Sequence, residues 1–325
     1  MATEAPNGTA ANGTTTTPSP EDLKVYELSQ KYTAEAAKRH RPDGLSQFVR
    51  LASSSLPTRF RALAEDPWAD HAALNAKPTI PSGAKHKFII LGAGYGGLLF
   101  AVRLLQQGIA KSPEEILFVD AAGGFGGTWW WNRYPGLHCD IESYTYMPLL
   151  EETGYVPRSK YVTGQELLEH AERIAKQWGV EGRGLFRAEV KAAKWDEEGK
   201  EWIVEVVEGR GSGEEKRELG LKAQYLLLAS GILTNPHVPK VEGLEGFKGP
   251  LFHTARWDYG VTGGSPTDAT LKGLEGKRVG IIGTGATAIQ VVPKLAKYAK
   301  ELYVFQRTPS AVSWRGQRPT DPEEW

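Results

Sequence analysis

A glycine-rich turn between two short apolar stretches is the feature that most restricts how this chain can fold. Residues 92–97 read Gly-Ala-Gly-Tyr-Gly-Gly, which fits the pattern G-x-G-x-x-G. The stretches at 87–91 and 116–120 are apolar without polar alternation, as strands of a buried parallel sheet are. A helix is expected between them, over residues 98–107. This order of strand, glycine turn, helix and strand predicts a βαβ unit that holds a dinucleotide at the N-terminus of its helix.

Four residues of this unit have separate expected roles. Gly92 allows the tight turn, Gly94 lets the backbone approach a pyrophosphate, and Gly97 lets helix and strand pack closely. Asp120 ends the second strand, 23 residues after Gly97. An acid at that place accepts hydrogen bonds from ribose hydroxyls.

Residues 277–307 repeat this arrangement with a different ending. Residues 283–288 read Gly-Thr-Gly-Ala-Thr-Ala and lie between predicted strands at 278–282 and 302–305. The second strand is followed by Arg307 and Thr308, which suit a 2′-phosphate that an acid would repel, so NADP is preferred to NAD. The chain is therefore expected to have an α/β fold with two dinucleotide-binding, Rossmann-like units. Two such units with different nucleotides predict a flavin enzyme that takes hydride from NADPH.

Composition and charge exclude several other classes of protein. The 39 basic and 39 acidic side chains balance, so no field attracts nucleic acid or an anionic membrane. Cys139 is the single cysteine, which excludes a disulfide scaffold, a zinc finger and a flavoenzyme with a redox dithiol. Oxygen is then the simplest electron acceptor, and no metal site is predicted. Without an apolar stretch of roughly 18 residues or a secretion signal, the expected location is cytoplasmic, with no stable membrane association.

Two longer stretches carry a family resemblance. Residues 126–140 read GGTWWWNRYPGLHCD, and residues 247–258 read FKGPLFHTARWD, which matches F-x-G-x-x-x-H-x-x-x-W-[P/D] at every fixed position. On these residues the chain resembles the Baeyer–Villiger monooxygenases, which are FAD- and NADPH-dependent flavoproteins, from about residue 86 to Thr308. Its N-terminal extension is similar to that of fungal members that act on secondary metabolites. The resemblance implies insertion of one oxygen atom of O2 next to a ketone carbonyl, giving an ester or lactone.

The resemblance also implies roles for individual residues. Those expected to line the FAD are Thr128, Trp129, Trp130, Trp131, Asp140, Ile141 and Tyr146. Those expected to approach the nicotinamide half of NADP are His138, Cys139 and Asp140. Its phosphates would be held by Thr284, Gly285, Ala286, Thr287, Ala288, Ile289 and Gln290, and its 2′-phosphate by Arg307 and Thr308. As catalytic residues, His253 would couple the movements of the two nucleotide domains, and Asp140 would orient an essential arginine near the flavin.

The expected organisation has five parts. A disordered tail (1–20) precedes a helical extension and linker (21–85), and the N-terminal part of an FAD-binding domain follows (86–236). A linker with the family fingerprint (237–276) leads to part of an NADP-binding domain (277–325). Within the FAD-binding domain, residues 163–166 predict a capping box at the start of a helix, and residues 187–207 predict a β-hairpin.

The sequence departs from the family pattern at its carboxyl end. The essential arginine of the family lies well downstream, so the chain is expected to be C-terminally truncated, and neither Arg315 nor Arg318 is expected to replace that arginine. Three interpretations stay open: an abridged monooxygenase sequence, a non-catalytic paralogue that binds FAD weakly, and half of a split enzyme with a C-terminal partner chain. A monooxygenase for nitrogen or sulfur also stays open. Apolar edges are expected to be exposed where the sheet is incomplete.

Overall fold

The computed structural model describes residues 8–9, 15–16, 19–51, 53, 56–211, 215–233, 235–321, 323 and 325. The strands are β1 (Gly8–Thr9), β2 (Thr15–Thr16), β3 (Phe48–Arg50), β4 (Lys85–Leu91), β5 (Ile116–Val119), β6 (Gly184–Leu185), β7 (Ala188–Asp196), β8 (Glu201–Glu208), β9 (Arg217–Leu228), β10 (His237–Pro239), β11 (Arg278–Ile282) and β12 (Glu301–Phe305). The α-helices are α1 (Pro20–Arg39), α2 (Thr58–Arg61), α3 (His71–Asn75), α4 (Tyr95–Gln106), α5 (Thr128–Trp131), α6 (Ser143–Tyr146), α7 (Leu150–Thr153), α8 (Gly164–Gln177), α9 (Tyr259–Thr262) and α10 (Ala286–Tyr298). These elements confirm the predicted α/β class.

A six-stranded sheet of order β6-β5-β4-β9-β8-β7 forms the centre of the larger unit. Strands β4, β5, β6 and β9 pair in parallel, and the β7–β8 hairpin joins β9 in antiparallel fashion, as the hairpin prediction requires. Neighbouring residues of β4 are buried on opposite faces of the sheet. Ile90 packs in a core with residues of α4 and α8, and Ile89 packs in a second core with residues of β8 and β9. Burial on both faces explains why β4 shows no polar alternation.

The predicted capping box is only half formed. The Thr163 hydroxyl accepts a hydrogen bond from the Glu166 backbone N–H at 3.2 Å, as predicted. The Glu166 carboxylate does not reach back to Thr163, so that part of the prediction is wrong. It accepts instead from the Tyr155 hydroxyl (2.9 Å) and the Arg158 backbone N–H (2.8 Å). A buried carboxylate needs such donors, and the neighbouring segment supplies them.

The second unit is a two-stranded parallel sheet, β11–β12, with α10 as its crossover helix. One side of α10 packs in a core through Ala288, Val291 and Leu295. Several apolar side chains of the two strands are exposed, among them Ile282, Val304 and Phe305. This exposure agrees with the expectation of uncovered apolar edges.

The N-terminal extension contains helices, as predicted, and one strand that was not predicted. Ser19 caps α1, and β3 pairs with β10 in antiparallel fashion. The tail predicted for residues 1–20 lies outside the described residues, apart from the β1–β2 pair and the first residues of α1 and its cap. None of the described helices is long and apolar enough to cross a membrane. The proposed domain boundaries stay predictions.

Candidate functional site

A cleft of about 1070 Å³ opens at the carboxyl ends of the central strands. Gly92, Asp120 and Ala229 directly follow β4, β5 and β9, and all three line the cleft. Ligands of open α/β sheets bind outside the carboxyl ends of the strands. The volume is at the upper end of the roughly 300–1,000 Å³ of small-molecule sites, as an extended dinucleotide requires.

The glycine turn has the geometry that the fingerprint predicts. Gly92 has a φ of +110°, and a Cβ there would collide with the Ala229 carbonyl oxygen at the end of β9. A Cβ on Gly97 would overlap the Gly92 carbonyl oxygen, so α4 packs directly against the turn. Gly94 faces Gly127. Gly127 is the first residue of the tryptophan segment, residues 127–131. The turn therefore brings the helix N-terminus and the tryptophan segment to one edge of the cleft.

Asp120 stabilises the glycine turn through both carboxylate oxygens. Oδ2 accepts a hydrogen bond from the Ala93 backbone N–H at 2.7 Å, and Oδ1 accepts one from Ala122 at 2.8 Å. Burial raises the pKa of the Asp120 carboxyl, whereas these two bonds act in the opposite direction. Asp120 lines the cleft. Its predicted contact with ribose hydroxyls stays a prediction.

An aromatic wall forms another side of the cleft. Of the seven residues that the family resemblance assigns to FAD, four line the cleft: Thr128, Trp129, Trp131 and Tyr146. Trp129 Nε1 donates to the Tyr146 hydroxyl at 3.1 Å, and the two rings meet nearly at right angles with centroids 5.7 Å apart. Because the indole N–H has this partner, the wall is fixed in orientation and can exclude water from a ligand.

Three other residues assigned to FAD lie outside the cleft lining. Trp130 turns away because successive side chains of a helix point about 100° apart, and its Nε1 donates to Asp66 Oδ2 at 2.7 Å. Asp140 and Ile141 are exposed. Arg315 approaches this segment, where its Nη1 donates to the Cys139 carbonyl oxygen at 2.9 Å. These three residues do not line the cleft in the described part of the chain, and their predicted contacts with FAD stay predictions.

The N-terminal extension contributes cleft residues that sequence reasoning missed. Asp66 lines the cleft and accepts from Gly123 N at 2.8 Å in addition to Trp130. Arg187, which precedes β7, has a φ of +56° and is buried. Its guanidinium donates to Asn75 Oδ1 at 3.0 Å and lies 3.1 Å from His71 Nδ1. No local motif marks these residues, because each acts through a partner far away in the sequence.

His138, one of the residues predicted to approach the nicotinamide, contacts α10. The His138 backbone N–H donates to Gln290 Oε1 at 2.7 Å, and Gln290 Nε2 donates to the Tyr134 hydroxyl at 3.3 Å. Two predicted NADP residues from distant segments are thus neighbours. Cys139 is buried, as expected, and burial raises the pKa of its thiol, which disfavours a nucleophilic thiolate.

The predicted 2′-phosphate residues lie at the end of β12. Arg307 and Thr308 are exposed, and Arg307 Nη1 donates to Gln47 Oε1 of the extension at 2.6 Å. Thr284 Oγ1 donates to the Thr308 carbonyl oxygen at 3.1 Å. Gly285 caps α10, so residues 284–290 form the turn and the first helical residues, where phosphate is favoured. Among the described residues, no group of three or more His, Cys, Asp or Glu could hold a metal ion.

His253 is held in its neutral form. Its Nδ1 accepts a hydrogen bond from the Ala255 backbone N–H at 3.1 Å, which requires that nitrogen to be unprotonated. Burial, with a smaller effect from the positive charges of Arg256 and His237, lowers its pKa to about 4.

We expect this neutral histidine to make the protein less stable as the pH falls from 6.5 towards 4. In that range the unfolded chain binds a proton that the folded chain does not, so the free energy of unfolding decreases, by up to about 3 kcal/mol. Urea unfolding at several pH values should detect this slope, and His253→Asn, which cannot titrate, should reduce it. An imidazole that titrates near pH 6.5 by NMR would contradict the expectation.

Comparison with known proteins places this arrangement in a family. No protein-family model matches the chain. It is 72% identical over 316 residues to the "Polycyclic ketone monooxygenase" of Thermothelomyces thermophilus, covering 97% of this chain and 48% of the relative. It is 51% identical over 307 residues to the "Chermesin D/asnovolin J monooxidase" of Aspergillus novofumigatus, covering 92% of this chain and 46% of the relative. The chain therefore spans about half the length of these curated relatives.

Solved structures agree with the sequence matches. A polycyclic ketone monooxygenase from the thermophilic fungus Thermothelomyces thermophila superposes with a TM-score of 0.92 at 73% identity, over 94% of this chain and 48% of that one. OTEMO in complex with FAD and NADP superposes with a TM-score of 0.61 at 33% identity, over 76% of this chain and 43% of that one. The chain has two nucleotide-binding units, the three consecutive tryptophans and the family fingerprint of residues 247–258. It belongs to the Baeyer–Villiger monooxygenase family.

Proposed function

We propose that this chain is the nucleotide-binding half of an FAD- and NADPH-dependent Baeyer–Villiger monooxygenase that acts on a ketone with O2. The observation that carries the proposal is the cleft where the glycine turn, Asp120 and the aromatic wall meet. The name of the Thermothelomyces relative supports a ketone over a nitrogen or sulfur substrate. Because the curated relatives come from fungi and the N-terminal extension resembles that of fungal members acting on secondary metabolites, secondary metabolism is the proposed setting. The cytoplasm is the proposed location.

The residues of the cleft fit a flavin nucleotide. The N-terminus of α4 offers backbone N–H groups to a pyrophosphate. A Cβ at Gly92 or Gly97 would collide with backbone atoms that shape this cradle. Buried polar atoms also lie at the cleft without a partner among the described residues, namely Nε of Arg187 and Nε of Arg256. An anionic ligand in the cleft would lie beside these two guanidinium groups and compensate part of their charge.

The cofactor and the residues of the chain would have separate roles in the reaction. When bound, FAD would transfer two electrons from NADPH to O2, so that one oxygen atom enters the ketone and the other leaves as water. Trp129, Trp131 and Tyr146 exclude water from the reacting centre, which limits the loss of activated oxygen to solvent. Arg307 and Thr308 would bind the 2′-phosphate of NADPH, and the hydrogen bond between His138 and Gln290 holds the residues around His138 against the NADP unit.

The test is to follow the FAD-loaded chain through both half-reactions. NADPH should bleach the flavin absorption band under anaerobic conditions. Isotope-labelled O2 and a polycyclic ketone should then give a product with one labelled oxygen atom, and a sulfide and an amine should give little. Faster oxygenation of the sulfide or amine would contradict the ketone assignment.

If NADPH bleaches the flavin but no oxygenated product forms, the chain does not oxygenate the ketone by itself. The carboxyl-terminal half of a relative, supplied as a separate chain, should then restore product if a partner chain is required. The exposed apolar side chains of β11 and β12 offer a surface against which that carboxyl-terminal half would pack. No product with the added half would favour the non-catalytic alternative.

A further inference from the structure

Arg256 is a buried cation at the flavin cleft without an ion-pair partner among the described residues. Its side chain is 6% exposed and lines the cleft together with Gly94 and Thr128. Nη1 donates to the Ala255 carbonyl oxygen at 2.9 Å, but Nε is buried and has no hydrogen-bond partner in the described part of the chain. The position is one of the variable places of the family fingerprint, so the fixed pattern does not mark it.

The surroundings of Arg256 compensate its charge only in part. The guanidinium lies 3.7 Å from the centre of the Trp131 ring, a cation–π contact. The carboxylate of Asp66 favours the charged form, but its oxygens accept hydrogen bonds from Trp68 N, Gly123 N and Trp130 Nε1. Burial lowers the pKa of Arg256 to about 10, so the side chain is still charged at neutral pH.

A buried charge with an unsatisfied donor is unfavourable unless a ligand completes it. Arg256 lines the cleft, so a negatively charged ligand bound there would compensate its charge. We propose that Arg256 is a cofactor-binding residue that donates hydrogen bonds to an anionic group of the flavin nucleotide. This inference rests on the proposed function, because it takes FAD as the ligand. The anionic group is either the pyrophosphate or the reduced flavin ring, and Trp131 orients the guanidinium towards it.

The test compares FAD binding by three variants. Arg256→Met removes the charge at similar length, and Arg256→Lys keeps the charge without the planar fork. Arg173→Met is the matched control, because the Arg173 guanidinium stacks 3.8 Å from the Tyr155 ring centre but does not line the cleft. Isothermal titration with FAD should show an affinity loss of about 10- to 100-fold for Arg256→Met. Arg256→Lys should lose less, and Arg173→Met should bind as the wild type does.

The midpoint potential distinguishes the two anionic groups. If Arg256 binds the pyrophosphate, the affinity for oxidised FAD falls and the potential is unchanged. If it binds the reduced ring, the potential becomes more negative, by about 30 mV for each tenfold loss of affinity that is confined to the reduced state. Unchanged affinity and unchanged potential in Arg256→Met would overturn the inference.

Stability without FAD separates ligand binding from a structural role. Because Arg256 is only partly compensated, Arg256→Met should unfold at the same or a higher temperature than the wild-type apoprotein. Equal losses of apoprotein stability in Arg256→Met and Arg173→Met, with no selective effect on FAD, would overturn the inference while leaving the proposed function in place. A wild-type chain that binds no FAD would refute both.

Discussion

Replacing Gly97 with alanine is expected to abolish FAD retention and to destabilise the fold by about 3 kcal/mol, the upper end of the usual cost of overpacking. The added Cβ would overlap the Gly92 carbonyl oxygen and approach Ile90 Cγ2 at 3.3 Å. Neither neighbour can move freely, because Gly92 N donates to the Val119 carbonyl oxygen at the end of β5 and Ile90 is fully buried. Urea unfolding and flavin absorbance after gel filtration measure the two effects.

Gly96→Ala is the matched control for this prediction. It lies one residue away in the same helix, and its Cβ would meet only the Ala229 methyl group at 3.8 Å, an ordinary contact. The variant should keep its stability, so it is a control for the packing effect. Equal stability of the Gly97→Ala and Gly96→Ala variants would contradict the close packing of α4 against the glycine turn.

Replacing Arg307 with glutamine is expected to weaken NADP⁺ binding by about 10- to 100-fold, because one charge-assisted phosphate contact is lost. Binding of NAD⁺, which has no 2′-phosphate, should change little. Arg278→Gln is the control, since Arg278 is an exposed arginine at the opposite end of the same parallel sheet. Titration of each variant with both nucleotides gives the comparison.

The rates of NADPH and NADH oxidation give a second test of the role of Arg307. The wild-type site should oxidise NADPH faster than NADH, and Arg307→Gln should reduce that difference. Equal rates with the two nucleotides in the wild type would contradict the role given to Arg307. Equal losses for NADP⁺ and NAD⁺ in the variant would contradict it as well.

The sequence predicts those parts of the site that depend on backbone geometry. Gly92 needs a positive φ and Gly97 needs the absence of a Cβ, and both needs fix the residue type at a fixed spacing. The buried strands β4 and β5 are equally visible, because coverage of both sheet faces removes polar alternation. The neighbouring positions of His138 and Gln290 follow from the family resemblance, which assigns both residues to NADP.

Features that depend on a distant partner could not be predicted. Trp130 belongs to the tryptophan segment but turns towards Asp66, which is 64 residues away. Arg187 is held by His71 and Asn75 of the extension, whose sequence indicates only helices. Glu166 occupies a capping-box position, yet the Tyr155 hydroxyl and the Arg158 N–H outcompete the cap. In each case tertiary contacts decide where the side chain points.

The most direct test of the central claim is the amount of FAD that the purified chain holds after gel filtration. Absorbance should give about one flavin per chain, as expected for one dinucleotide site at the carboxyl ends of the central sheet. Gly97→Ala should leave the flavin in the low-molecular-weight fraction. A wild-type chain that elutes folded but without flavin, even after incubation with excess FAD, would contradict the assignment of the cleft.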